Sequence, residues 1–309
     1  MKYVLFQING GIGKCIAATA VCSAIKKKFP ERELIVVSGY PEVFLNNPNV
    51  KKSYAFGNVS YFYQDYVEGK EIEVLVHDPY LTTDAVKESK HLIEIWCDLY
   101  NLPYNNEKPE LFITQRELDA YQSQVKVDKP IMIMQTNGGG DVNKPYSWAR
   151  DLPSVAVLPI IEEFRNYYAI AHVRREEQQS YQHTIQLTGN LRHVLAVTML
   201  SEKRLVIDSF LQHALSALNL PAVACWVVNS PKLFGYDLHT DIFANPFTVQ
   251  PELRNAFLGK FNIGGDDMEF PYNNEKEIFD VDAIIKALKQ ENVNKVAKPI
   301  NDGRIILPS

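Results

Sequence analysis

Apolar residues along the chain fall into short unbroken runs, separated by stretches with helical spacing. Residues 3–8 form such a run, stopped by Asn9-Gly10-Gly11, and predict a buried strand ending in a turn. Residues 16–29 carry alanines and apolar residues at helical spacing, with lysines in the last turn and Pro30 beyond, and predict a helix. Residues 34–37 predict a second strand, 41–45 a short helix, and 72–76 a third strand ending at His77-Asp78-Pro79. A long helix is expected over 84–101, with Leu92, Ile95, Trp96 and Leu99 on one face; residues 108–129, polar and proline-bounded, read as a linker.

The pattern then restarts. Residues 130–134 predict a strand opening into Thr136-Asn137-Gly138-Gly139-Gly140, and helices are expected over 154–164, 192–200 and 210–218. Strands are expected over 167–172, 204–207 and 222–228, and a terminal helix over 275–291. Strands separated by helices imply parallel, doubly wound sheets. Two such units give an α/β protein of two Rossmann-like domains facing an interdomain cleft. The first domain is expected to span 1–125 and the second 126–309, with the terminal helix and the tail from Asn292 packing back on the first domain.

Composition narrows the class. The 309 residues are 46% hydrophobic and 22% charged, enough apolar material for two cores. A net charge of −5 lacks the basic surplus of most nucleic-acid binders, and Lys26-Lys27-Lys28 and Lys51-Lys52 read as a solvated helix end and a loop. Cys15, Cys22, Cys97 and Cys225 show no paired spacing, so reduced thiols in the cytoplasm fit better than a zinc site or disulfides. The first apolar run is too short for a signal peptide and none has the length of a membrane helix, so a soluble cytoplasmic protein without membrane insertion is expected.

Three places carry candidate chemistry. At Gly10-Gly11-Ile12-Gly13-Lys14 a strand runs through glycines into a helix N-terminus, whose free N–H groups and dipole suit an anion. The same stretch, Asn9 to Cys15, resembles the deviant phosphate loop of the ParA and MinD ATPases, although Cys15 stands where the magnesium-binding hydroxyl belongs and Asn9 where the signature lysine does. At Asp208-Ser209 another strand opens a helix, so Ser209 can cap it and the first amides can hold a phosphate, with His213 one turn in. The third place is His77-Asp78, which the strand order puts on the same rim as Gly10–Gly13.

Asp208-Ser209-Phe210-Leu211-Gln212-His213 resembles the Asp-Ser-Gly-Pro-x-His signature of the heptosyltransferase-like glycosyltransferases, family nine, with Phe210 and Leu211 replacing Gly and Pro. Further likenesses follow in the family's order. They are Gly11-Ile12-Gly13 before a lysine-ended helix, the stretch 34–50, the stretch 135–153 with Lys144 and Trp148, and Leu187-Thr188-Gly189. The resemblance implies the GT-B fold and inverting transfer of a sugar from a nucleoside diphosphate donor to an acceptor hydroxyl. It makes Gly10, Gly11, Gly13, Asn137, Gly138, Lys144, Trp148, Gly189, Asp208, Ser209 and His213 donor-binding candidates. No metal or resident cofactor is implied, only the nucleotide sugar as donor substrate.

One position departs from the family. Where relatives carry the Asp proposed as general base, this chain has Lys14, which is expected to hold a phosphate or an acceptor anion. Another carboxylate must then take the proton. Asp78 is the first choice, with His77 beside it, and Asp84, Asp65 and Asp141 are open alternatives. The acceptor is either a glycan or glycolipid of the lipopolysaccharide type or a hydroxymethylated DNA base. For DNA, the lysine runs, Arg174-Arg175 and Tyr61-Phe62-Tyr63 would supply phosphate contacts and stacking. A non-catalytic nucleotide-sugar-binding protein is the remaining reading.

Overall fold

In β1 (Lys2–Ile8) Val4, Phe6 and Ile8 are buried on one face, and α1 (Ile12–Lys28) leaves that strand through Asn9-Gly10-Gly11. The chain continues through β2 (Glu33–Ser38), β3 (Lys52–Ala55), α2 (Phe62–Tyr66), β4 (Glu71–Leu75), α3 (Thr83–Val86), α4 (Leu92–Leu99) and α5 (Gln115–Gln122). A second run holds β5 (Ile131–Met134), α6 (Ser154–Phe164), β6 (Ala169–Val173), β7 (Thr184–Leu187), α7 (Leu191–Met199), β8 (Ser201–Ile207) and α8 (Phe210–Ala217). It closes with β9 (Val223–Trp226), α9 (Pro231–Phe234), β10 (Thr240–Phe243) and α10 (Val281–Gln290). This computed structural model describes residues 1–139, 143–248, 270 and 272–290; Gly140, Asp141 and the tail from Asn292 lie outside the described residues.

All strand pairs are parallel. The first sheet has the order β3-β2-β1-β4 and the second β10-β9-β8-β5-β6-β7. In the second sheet Met132, Met134, Leu205 and Ile207 pack beneath α6 and α10, whereas Ile131, Ile133 and Val206 face the core shared with α7 and α8. Order reverses at β1 in the first sheet and between β5 and β8 in the second. The crevices at the carboxyl ends of those strands are where such sheets bind ligands.

Helix α1 is buried on nearly every side because it lies between its own sheet, α4 and α8 of the other domain. The crossing is close at Gly13, where an added Cβ would stand 2.9 Å from His213 Cδ2 and 3.3 Å from Phe210 Cα. Gly13→Val is therefore expected to cost about 1–3 kcal/mol of stability by overpacking, measurable by denaturant unfolding. A midpoint equal to wild type would show that the helices separate freely there.

Several expectations need correcting. The helix expected over 84–101 is two helices, parted where Glu88 takes a φ of 48° and His91 caps α4 by accepting from the Ile93 N–H. The linker of 108–129 contains α5, closed by a capping box between Thr114 and Glu117. That helix packs on α7, where Glu117 pairs with Arg192 at 2.7 Å. The terminal helix starts at Val281 and packs within the second domain rather than back on the first: Ile284 and Leu288 join the core under β5 and β8, and Lys289 pairs with Glu163 at 2.5 Å. Strands β3, β7 and β10 went unforeseen; each is a short sheet edge.

Candidate active site

On the first domain's rim, Gly10 has a φ of 121°, a conformation that favours glycine, and a Cβ there would meet Lys14 Cδ at 2.9 Å. The turn thus lets the lysine stem fold back. Its ammonium is buried and reaches Asp78 Oδ2 at 2.6 Å, 4.4 Å from the centroid of the Tyr80 ring and 5.7 Å from that of Trp96. Asp78 ends the segment after β4 and caps the 3-10 turn Pro79–Leu81, its Oδ1 accepting from the Tyr80 N–H at 3.0 Å. Lys14 was expected to face an anionic ligand. The structure gives that charge to Asp78 instead, the two residues read separately as catalytic candidates.

His77 lies exposed beside Asp78, and its carbonyl accepts from the Tyr100 hydroxyl at 2.9 Å. Asp84 accepts from Ser89 Oγ within the α3 region, and Asp65 belongs to α2. Gly11 is exposed, with open space where a side chain would stand.

On the second rim, β5 runs into Gln135-Thr136-Asn137-Gly138, tied down by the buried carboxylate of Asp151. That group accepts from the N–H of Gly138 and of Ser147, both at 2.8 Å, and from Asn137 Nδ2 at 3.2 Å. Asn137 is therefore a staple of the loop. Gly138 makes room for Arg150: a Cβ would sit 2.7 Å from Arg150 Cδ and 3.3 Å from Ser209 Oγ. Ser209 begins α8 without capping it, its hydroxyl accepting instead from Gln135 Nε2 at 3.2 Å. Gln135 Oε1 is buried without a hydrogen-bond partner. The carboxyl of Asp208, raised above its usual pKa by burial, accepts from Asn229 Nδ2 and feels the opposite charge of Arg150. A guanidinium, an amide, a hydroxyl and free helix N–H groups thus converge at the end of β8, an arrangement that fits a diphosphate.

Among the described residues no three His, Cys, Asp or Glu side chains come together as metal ligands. The chain's Asp-x-Asp spacing, Asp280-Val281-Asp282, serves α10, where Asp280 accepts from the Ala283 N–H.

No family model and no curated protein matches this chain. Solved structures do. Over 93% of this chain and 96% of the other, it superposes on the glycosyl transferase family 9 protein of Veillonella parvula with a TM-score of 0.63 at 10% identity. The ADP-heptose lipopolysaccharide heptosyltransferase II of Escherichia coli matches with a TM-score of 0.56 and 14% identity over 79% of this chain and 90% of that one. The heptosyltransferase TibC of Escherichia coli, solved with ADP-D-beta-D-heptose, gives 0.58 and 9% over 93% and 74%. The fold is GT-B.

Within this GT-B frame the remaining candidates separate. His213 is buried against Gly13, with Nδ1 2.8 Å from the Tyr236 hydroxyl and Nε2 3.1 Å from Gln212 Nε2, so it and Gly13 pack together where α1 crosses α8. Trp148 meets the edges of Phe270 and Tyr272, and Lys144 is exposed in the loop beyond Gly139. Gly189 follows β7 at the sheet edge, three strands from β8, which is about 14 Å at the usual spacing. Arg150 is the residue sequence reasoning missed. The phosphate-loop reading also loses its parts: Lys14 is paired, and the Cys15 thiol is buried, its pKa pushed up to about 12 mainly by desolvation.

The interface of the two GT-B domains holds neutral histidines. Burial lowers His213 to about 3 and His239 to about 4, and lowers His91 beside Tyr236; under the β5 loop it lowers His172 to about 4. Unfolded, each would titrate near its ordinary 6.5. The unfolded chain therefore binds more protons below that pH, and the stability these groups hold above it is lost as pH falls toward 4. The melting temperature is expected to drop by about 5–10 °C between pH 7 and 5. A flat profile would contradict neutral burial.

Proposed function

We propose that the chain is a divergent family-nine glycosyltransferase, inverting, moving a sugar from a nucleoside diphosphate to an acceptor hydroxyl. The observation that carries it is the pairing of two rims across one crevice: the Lys14–Asp78 pair on the first domain, and Arg150, Gln135 and the amides at Ser209 on the second. The donor's diphosphate lies at the N-terminus of α8 against Arg150, whose fixed charge and N–H groups stabilise the leaving group as the glycosidic bond breaks. Asp78, paired with and oriented by Lys14, takes the proton of the acceptor hydroxyl, whose oxygen attacks the anomeric carbon from the opposite face. Tyr100 and Pro79 fix the backbone on either side of that carboxylate.

The heptosyltransferases with this fold make ADP-heptose the first donor to try, and a lipopolysaccharide-type glycan the first acceptor. Most of the basic residues considered for DNA are engaged locally: Lys26 donates to the Arg32 carbonyl, Lys27 pairs with Glu107, Lys28 donates to the Tyr100 carbonyl, Lys51 pairs with Glu33, Arg174 donates to Gln186 and Arg175 pairs with Glu177. No helix among the described residues is long and apolar enough to cross a membrane, and a cytoplasmic enzyme meeting its acceptor at a surface is the reading we adopt. The test is release of ADP from ADP-sugars in the presence of lipopolysaccharide-core acceptors. Acceptor-dependent release supports the reading. Donor binding without release, across a broad acceptor panel, would make the chain a nucleotide-sugar-binding protein.

A further inference from the structure

Tyr80 has no part in the chemistry just described, yet it touches both halves of it. Its backbone N–H is held by Asp78 Oδ1, and its ring covers the Lys14 ammonium at 4.4 Å. From there the ring crosses to the second domain and meets Phe234 edge-on, centroids 5.8 Å apart. Phe234 ends α9, and Gly235 behind it is required: a Cβ there would stand 2.5 Å from Pro231 Cβ. Phe234 is also tied to α8, since its carbonyl accepts from Gln212 Nε2 at 2.9 Å. One chain of contacts therefore runs from the donor-side helix through Phe234 and Tyr80 to the carboxylate on the acceptor side. Tyr80 is 42% exposed as a residue, while its ring is enclosed between Lys14 and Phe234. Its phenol is pushed above its ordinary pKa by the crowding around it, then by the carboxylates of Asp208 and Asp78, with Arg150 opposing, which agrees with a position between the two rims.

We propose that Tyr80 is a positioning residue that couples the place of the donor domain to the Lys14–Asp78 pair, by covering the lysine and resting on Phe234. The inference rests on the glycosyltransferase reading for its purpose but not for its geometry. A donor that draws the second domain inward presses Phe234 onto Tyr80, which closes water away from Lys14 and seats Asp78. The cation–π contact between Lys14 and Tyr80 and the edge contact with Phe234 are each modest, so the coupling acts on the alignment of Asp78 and not on the stability of the fold.

The test reads Lys14 directly. Acylation of lysines by an amine-reactive ester, followed peptide by peptide by mass spectrometry, is carried out on wild type, Tyr80→Phe, Tyr80→Ala and Phe234→Ala, with and without ADP. In wild type and Tyr80→Phe, ADP is expected to slow Lys14 labelling by about fivefold or more. In Tyr80→Ala and Phe234→Ala, labelling without ADP rises and ADP no longer changes it. In steady-state assays Phe234→Ala should lower kcat by about tenfold with the ADP Kd within about twofold, a split that lost donor contact would not give. The coupling is overturned if Phe234→Ala labels and responds like wild type, or if its kcat is unchanged. If ADP fails to bind wild type at all, the donor reading falls by itself, while the labelling of Phe234→Ala without ADP still decides the contact.

Discussion

Asp78→Asn is expected to lower sugar transfer by about 10²–10⁴-fold, the span of a lost general base, while the affinity for a nucleoside diphosphate stays within about twofold. The reason is local. Lys14's side chain is 5% exposed and Asp78's 28%, so the pair borders solvent on the carboxylate side only. The carboxylate can reach an acceptor, whereas the ammonium can reach little else. Neutralising Asp78 also leaves a buried charge without its counter-ion, at a cost of about 2–3 kcal/mol, somewhat less than for a fully buried pair. Adding Lys14→Met removes that charge and should restore most of the stability, because an apolar replacement of both partners is close to neutral. It should not restore transfer. Denaturant unfolding and a transfer assay on the two variants separate these effects; turnover above half of wild type in Asp78→Asn would remove Asp78 from the mechanism.

Arg150→Gln is expected to act on the other rim alone. Losing a charge-assisted contact to a diphosphate should weaken ADP binding by about 1.5–3 kcal/mol, or roughly 10–150-fold in Kd. Arg150 forms no ion pair within 4 Å among the described residues, but its charge opposes the buried carboxylates of Asp208 and Asp151, so the melting temperature without ligand should fall modestly, separately from the loss of ADP affinity. Gly138→Ala is a second route to the same loss, since its Cβ would stand 2.7 Å from Arg150 Cδ and drive the side chain off. Calorimetry with ADP reads both. An Arg150→Gln protein that binds ADP within twofold of wild type would place the diphosphate elsewhere.

Long periodic segments were legible because their partners are the sheet faces themselves. β1, α1, β8 and α8 emerge from apolar runs whose burial the fold requires, and the glycine turns between them follow from the change of period. The edge strands were not legible. β3, β7 and β10 are four residues each and at least half polar or exposed, so nothing in them outweighs a loop reading. α5 did leave a trace, the Thr114-x-x-Glu117 capping box, hidden by a polar composition that suits a helix with one buried residue, Leu118. The break between α3 and α4 left none, because Glu88 adopts its left-handed conformation without a glycine.

The site divides the same way. Asp208-Ser209 and Gly10-Gly11 stand at strand ends, where the topology alone predicts a ligand. The pairing of Lys14 with Asp78 spans 64 residues and depends on Gly10 letting the lysine fold back, a fact of three dimensions. Arg150 was passed over for Lys144 because the loop that aims it is set by Asp151, whose three hydrogen bonds have no sequence signature. Gly13 and His213 were read as candidates from the glycine turn and the Asp-Ser-x-x-x-His likeness; that they also pack against each other across the α1–α8 crossing is a fact of three dimensions.

The central claim is that the cleft binds a nucleoside diphosphate through protein groups at the head of α8. The direct measurement is the melting temperature of the protein with ADP, GDP, UDP and dTDP, each in the presence of EDTA, beside ATP with magnesium. A ligand at 100 times its Kd stabilises the native state by about 2.7 kcal/mol, which for a chain of this size is a rise of roughly 4 °C. At least one diphosphate should produce that rise without a metal, ADP first among them, and Arg150→Gln should abolish it. No response to any diphosphate, or a response confined to ATP with magnesium, would contradict the account.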